Sequence, residues 1–205
     1  MTQLFYPSAD DIEIVKTENC FKGFYQLDRL HLKHRLFNGQ MGPVISREVF
    51  VRHDAVCVLP YDPVRDEVVL IEQFRIGALT KGETPWLLEL VAGLIDTQEE
   101  PAEVAKREAI EEADLELTSL MPITRYFPSP GASDEWVHLY LGRCDSRNAC
   151  GVHGLAEEGE DIRVHVLSFE QAMAALASGL IGNAASIIAL QWLAIHKTKV
   201  CSQWQ

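Results

Sequence analysis

Between Gly93 and Pro101 the apolar period of this chain switches from two to that of a helix, and this switch limits the fold more than any other feature. Ahead of it, Ala55-Val-Cys-Val-Leu and Glu67-Val-Val-Leu-Ile-Glu-Gln-Phe-Arg flank the turn-rich Pro60–Asp66, which predicts two core strands and a loop. Trp86-Leu-Leu-Glu-Leu-Val-Ala reads as a further strand ending at Gly93. Pro101 then suits a first helical turn, and Ala102, Ala105, Ala109 and Ala113 lie close to one stripe of a helix ending near Asp114.

The same reading extends in both directions. Phe21–Leu27, His31–Phe37 and Val44–Val51 read with period two as half-buried antiparallel strands, with Asn38-Gly39 a turn between them. Strands resume at Ile123–Phe127, Trp136–Gly142 and Ile162–Leu167. Two helices follow: Ser168 with Gln171 forms a capping box, Gly179 closes the first helix, and Asn183 caps a second that continues to about His196. Strands, helix, strands, helices predict a mixed α/β sandwich with a small N-terminal sheet, rather than a doubly wound parallel sheet.

Composition excludes several classes. Of the 205 residues 47% are apolar and 23% charged, enough to bury a core and unlike a disordered or fibrous chain. The stretch Ala184–Ile195 is too short to span a bilayer, and Met1–Asp10 lacks the basic and apolar regions of a signal peptide, so a cytoplasmic protein is expected. With 18 basic and 30 acidic residues the net charge is −12, which argues against nucleic-acid partners. A phosphorylated substrate would need a local cation, and a divalent metal supplies one. The five scattered cysteines, without a C-x-x-C, read as reduced thiols.

The chemistry concentrates in Gly93–Leu115. At about 100° per residue, Glu108, Glu111 and Glu112 fall within an arc of about 100° on one helix face. Carboxylates so placed repel one another, and the negative helix end adds to the cost. A hard cation turns that repulsion into a site, with water positions left for phosphate oxygens. Arg107 can pair with Glu99 or another acid and orient the loop against the helix. An acidic helix face is ordinarily just solvated; the glycine at a fixed distance and the strand leading into it favour the metal reading here.

The segment resembles the Nudix box, G-x5-E-x7-R-E-U-x-E-E-x-G-U, with Gly93, Glu99, Arg107, Glu108, Glu111, Glu112 and Leu115 in register and Ala109 at the first aliphatic position. One position departs: Asp114 stands where the box has glycine, at a helix end where a left-handed conformation is common and Asp tolerates it. Beyond the box, His34–Met41, Asp62–Gln73, Glu83–Glu89, Ser129-Pro-Gly, Gly154-Leu-Ala, Glu160–Val166 and Asn183–Ser186 extend the likeness over the full length to the bacterial ADP-ribose pyrophosphatases of the Nudix superfamily. The resemblance implies a Nudix α/β/α sandwich (51–205) with an N-terminal antiparallel β subdomain (1–50) that swaps into a homodimer.

Residue by residue, the resemblance implies metal ligation by the Ala92 carbonyl, Glu108, Glu112 and Glu160, with Glu111 auxiliary and Mg²⁺ (Mn²⁺ as the alternative) at two or more ions per site. It places the catalytic base at Glu158. It puts Phe24 and Tyr25 near the adenine, and Arg47, Glu48 and Arg52 in the same pocket, some lent by the partner chain. Arg75 becomes a phosphate or ribose contact, and Leu94, Ser129, Pro130, Gly131 and Glu135 line the rest. Arg75, closing an apolar strand, reads as a buried arginine that needs an anionic partner. The glycine-bearing acidic loop 151–161 suits a mobile flap. His34, His138 and His165 read as structural, and no Ser or Cys nucleophile stands beside a base.

The implied reaction is Mg²⁺-dependent hydrolysis of ADP-ribose to AMP and ribose 5-phosphate. Two alternatives stand beside it: action on another nucleoside diphosphate sugar, such as GDP-mannose or ADP-glucose, and a non-catalytic ADP-ribose-binding regulator. The second alternative sits poorly with a full complement of box glutamates.

Overall fold

The computed structural model describes residues 8–96 and 98–204, with the backbone alone at Ala9 and Glu158. The Glu158 side chain, expected to be the base, and residues 1–7 of the opening segment thus lie outside the described residues. The chain forms two compact units. One holds the residues up to His53 together with Phe127–Glu135; the other holds Asp54–Tyr126 and the chain from Trp136 onward.

The first unit carries an antiparallel sheet in the order β1 (Ile12–Lys22), β2 (Gln26–His34), β3 (Ile45–Val51). β1 was not expected. Ten of its eleven residues are exposed, so no buried face imposes an apolar alternation that could be read. The expected strand Phe21–Leu27 is instead the hairpin between β1 and β2, closed where the Gly23 amide donates to the Tyr25 carbonyl at 2.8 Å. Nor does β2 reach Phe37: it ends at His34, and Leu36–Gln40 turn about Asn38-Gly39, with Gly39 at φ +86°.

The second unit is an eight-stranded sheet ordered β10-β11-β5-β4-β9-β8, with β6 also on β5 and β7 also on β4. Its strands are β4 (Asp54–Asp62), β5 (Glu67–Phe74), β6 (Trp86–Glu89), β7 (Val91–Ile95), β8 (Ser119–Tyr126), β9 (Val137–Arg143), β10 (Val152–His153) and β11 (Ile162–Ser168). Only β4 with β9 is parallel among the described pairs. The single strand expected over Trp86–Gly93 is two, because the backbone changes partners at buried Leu90: Glu89 faces Ile71, while Val91 faces Val58.

Strand pleating sends alternate residues of β4 to opposite sides. Cys57, Leu59 and Tyr61 join one core with Leu139, Leu141, Leu190 and Leu193; Val56 and Val58 join a second with Val104, Ala105, Ala109 and Ala113. α2 (Pro101–Ala113) covers the second core. α3 (Phe169–Ala177) and α4 (Ala184–Trp204) cover the first, completing a helix–sheet–helix sandwich. α1 (Ile76–Leu79) is a single turn after β5. The Ser168/Gln171 capping box is present, and the Asn183 carboxamide caps α4 by accepting the Ser186 amide at 3.0 Å. α4 runs eight residues past His196, because Val200 and Trp204 continue its buried stripe beneath the polar His196–Lys199.

Candidate active site

In the second unit, β7 and α2 lie side by side, and Gly93 of β7 faces the Glu108 side chain of α2. A Cβ on residue 93 would clash with the Glu108 carboxylate, so any larger residue there displaces that side chain. One turn further along α2, Glu112 is only 3% exposed and its carboxylate accepts the Ala92 amide at 2.9 Å. The alanine stripe of α2 has no side-chain bulk to hold helix and strand apart, which is why these glutamates reach the strand backbone.

Burial dominates the electrostatics. It pushes Glu112 up to about 8; the Ala92 amide opposes the shift, and the charges of Glu108 and Glu160 add to it. Burial likewise pushes Glu108 up to about 7, opposed by Arg107 and reinforced by Glu111 and Glu160. Arg107 lies 2.9 Å from both Glu108 and Glu111 and 3.6 Å from Glu99, the pairing expected of it.

Glu160 comes from the loop before β11. Its carboxylate accepts the Leu155 amide at 2.9 Å, and the Gly154 amide donates to the Glu111 carbonyl at 3.3 Å, tying the loop to α2. Gly154 has φ +102°, a conformation that excludes most side chains. Glu158 sits in a short 3₁₀ turn of the same loop, Ala156–Glu158. Leu94 of β7 pairs with Ala55 of β4.

Arg75 requires a correction. It is not buried: 44% of its side chain is exposed, because β5 ends one residue earlier. It still has an anionic partner, Glu89 at 2.7 Å, and its charge lowers the Glu112 pKa. Glu89 was missed by sequence reasoning, since only the β5–β6 pairing brings it beside Arg75.

The first unit holds most of the expected substrate residues. The Tyr25 ring lies 4.8 Å from Phe24, edge-on, and 4.8 Å from Phe50. The Arg52 guanidinium stands 5.2 Å from the Tyr25 centroid and 5.9 Å from that of Phe50, and 3.1 Å from Glu135. Glu48 shares the Arg52 face of β3 but pairs with Arg29 at 2.8 Å, while Arg47 falls on the other face and donates to the Ser46 carbonyl. Ser129–Gly131 form a turn closed by the Ala132 and Ser133 amides on the Ser129 carbonyl. Phe50 was also missed, although its place two residues before Arg52 in an alternating strand is a usable signal.

Among the described residues no three His, Cys, Asp or Glu side chains already converge to hold a metal ion. The donor set nonetheless fits a hard divalent cation. Glu108 and Glu112 are desolvated oxygen donors whose charges are mutually unfavourable, and a cation would relieve both penalties.

Comparison with known proteins gives concordant matches. A family model described as the NUDIX domain matches residues 51–190. An ADP-ribose pyrophosphatase of Escherichia coli (strain K12) is 51% identical over 195 residues, covering 95% of this chain and 93% of the relative. An ADP-ribose pyrophosphatase of Haemophilus influenzae is 41% identical over 208 residues, covering 100% and 96%. A solved structure of an ADP compounds hydrolase superposes with a TM-score of 0.69 at 20% identity, covering 95% of this chain and 98% of that one, and so supports the fold.

Proposed function

This chain belongs to the NUDIX family, and on that premise we propose that it hydrolyses the diphosphate of ADP-ribose to AMP and ribose 5-phosphate. The observation that carries the hydrolytic reading is the approach of Glu108 and Glu112 to the Ala92–Gly93 backbone, where only glycine leaves room. The substrate is assigned by the similarity to the ADP-ribose pyrophosphatases, which extends over nearly the whole chain.

We assign Glu108, Glu112, Glu160 and the Ala92 carbonyl as metal ligands, with Glu111 auxiliary, for two or more Mg²⁺ or, second, Mn²⁺ ions. Divalent cations held there would supply charge neutralisation on the diphosphate oxygens and make an attacking water more acidic. Glu158 takes the proton of the attacking water, the water oxygen bonds to one phosphorus as the bridging P–O bond breaks, and the proton passes on to the departing phosphate oxygen or to solvent. Arg75, steadied by Glu89, contacts the phosphate or ribose. Phe24, Tyr25, Arg47, Glu48 and Arg52 serve the nucleotide, and Leu94, Ser129, Pro130, Gly131 and Glu135 line the remainder.

We further assign residues 1–50 to dimerisation and substrate contact and 51–205 to hydrolysis, in a cytoplasmic homodimer. Exposed Ile12, Ile14 and Phe21 on β1 support a self-association surface, and cysteines that form no disulfide among the described residues suit a reducing compartment. No described helix is long and apolar enough to cross a membrane.

The test is chromatography of products after incubating the protein and Mg²⁺ with ADP-ribose, ADP-glucose and GDP-mannose. AMP released from ADP-ribose in preference to the others supports the proposal. Preferred cleavage of another sugar nucleotide, or binding without turnover, overturns it. In the same assay Glu158→Gln should cut kcat by roughly 10²–10⁴. Near-normal turnover by that variant would refute the base assignment.

A further inference from the structure

We propose that Asp134 is a positioning residue of the nucleotide site, holding the end of β3 so that the Arg52 guanidinium stays against Tyr25 and Phe50. The proposal rests on the reading that Phe24, Tyr25 and Arg52 receive the adenosine half of the substrate.

β3 is an edge strand of its sheet, so the outer side of its last residues has no strand to bond with. The segment Ala132–Asp134 takes that place. The Phe50 amide donates to the Ala132 carbonyl at 2.7 Å, and the Asp134 amide returns to the Phe50 carbonyl at 3.4 Å. The Arg52 amide donates to the Asp134 carboxylate at 2.9 Å. The next residue, Glu135, pairs with the guanidinium of the same arginine at 3.1 Å. Arg52 is therefore held at its backbone by Asp134 and at its head by Glu135, with two aromatic rings beside it.

The arrangement leaves one donor over. The Nε–H of Arg52 is buried and finds no acceptor among the described residues. A buried arginine donor without a partner is costly, and it is satisfied when an acceptor arrives with a ligand. Asp134 keeps that donor in place and does not itself touch it. Its role needs a well-placed oxygen rather than a charge, because a backbone amide is what it receives. An amide side chain of the same length should serve equally well.

The experiment compares Asp134→Ala, Asp134→Asn and Asp134→Glu with the wild-type protein. Losing one hydrogen bond that orders the site should raise the Asp134→Ala KM for ADP-ribose about 5- to 30-fold, with kcat within about 2-fold. The inhibition constant of AMP should rise by the same factor while that of ribose 5-phosphate stays put. Asp134→Asn should return all values to near wild type; Asp134→Glu, which keeps the charge and moves the oxygen, should resemble Asp134→Ala. An unchanged KM in Asp134→Ala, a loss confined to kcat, parallel weakening of ribose 5-phosphate, or failure of Asp134→Asn to rescue would each overturn the proposal. Calorimetric binding of AMP to the same proteins requires no turnover. It decides the positioning role separately from the substrate assignment, which fails if wild type leaves ADP-ribose intact or prefers another sugar nucleotide.

Discussion

Gly93 has a negative φ, so its backbone would accept alanine; what it cannot accept is a methyl group where the Glu108 carboxylate lies. The group that must yield is the far end of a flexible side chain. We therefore expect Gly93→Ala to fold with a melting temperature within a few degrees of wild type. Its kcat should fall by roughly 10² or more, and the Mg²⁺ needed for half-maximal rate should rise. A Mg²⁺ titration beside a thermal melt checks both. Glu112 makes a second prediction. Its folded pKa, about 8, exceeds the unfolded carboxylate value, so the native state holds a proton that the unfolded chain has already released. The associated stability is fully present below the unfolded pKa and is lost as pH rises through about 8, with Glu108 adding the same sign up to about 7. In EDTA the melting temperature should fall from pH 5 to pH 9; saturating Mg²⁺, or Glu112→Gln, should flatten the fall. A metal-free melting temperature that climbs over this range would contradict the assignment. The spacing of these glutamates was plain in the sequence. Glu89 and Phe50 were not, since each matters only through a cross-strand or ring neighbour.

At the scale of elements, α2 ends as its sequence indicates. Asp114 adopts φ 48° and ψ 44°, its amide donates to the Ile110 carbonyl, and the Leu115 amide reaches back to Ala109. A non-glycine residue pays a steric penalty in this conformation, and a carboxylate at the negative helix end adds repulsion. Asp114→Gly removes both, so it should stabilise by up to ~1 kcal/mol, or about 2–4 °C in a chain of this size. A clear drop in melting temperature would show that the Asp side chain makes a needed contact. Other elements were harder to read. β1 buries neither face, so its pattern carries no signal, whereas the polar run at the centre of α4 hid a stripe that resumes at Val200.

For the whole molecule, the first unit leaves Ile12, Ile14 and Phe21 of one strand more than half exposed. An apolar surface of this kind favours association. If β1 lies in the proposed homodimer interface, Ile14→Lys should shift sedimentation towards monomer while the second unit's melting is unchanged. A variant that sediments like wild type would place the interface elsewhere.

The sequence by itself determined what is local: the helix after β7 and the two helices after β11, the acidic face of α2, both helix caps near Ser168 and Asn183, and the left-handed end at Asp114. Each follows from a period or a spacing of a few residues, which short-range sterics and hydrogen bonding enforce. Only the tertiary structure decided which partners meet. The change of partner at Leu90, the parallel pairing of β4 with β9, the tie of the Glu160 loop to α2 and the seating of Ala132–Asp134 against Phe50–Arg52 join residues far apart in the chain. Those contacts are selected by burying both cores at once and by pairing backbone groups left over at strand ends, and no local pattern records that selection.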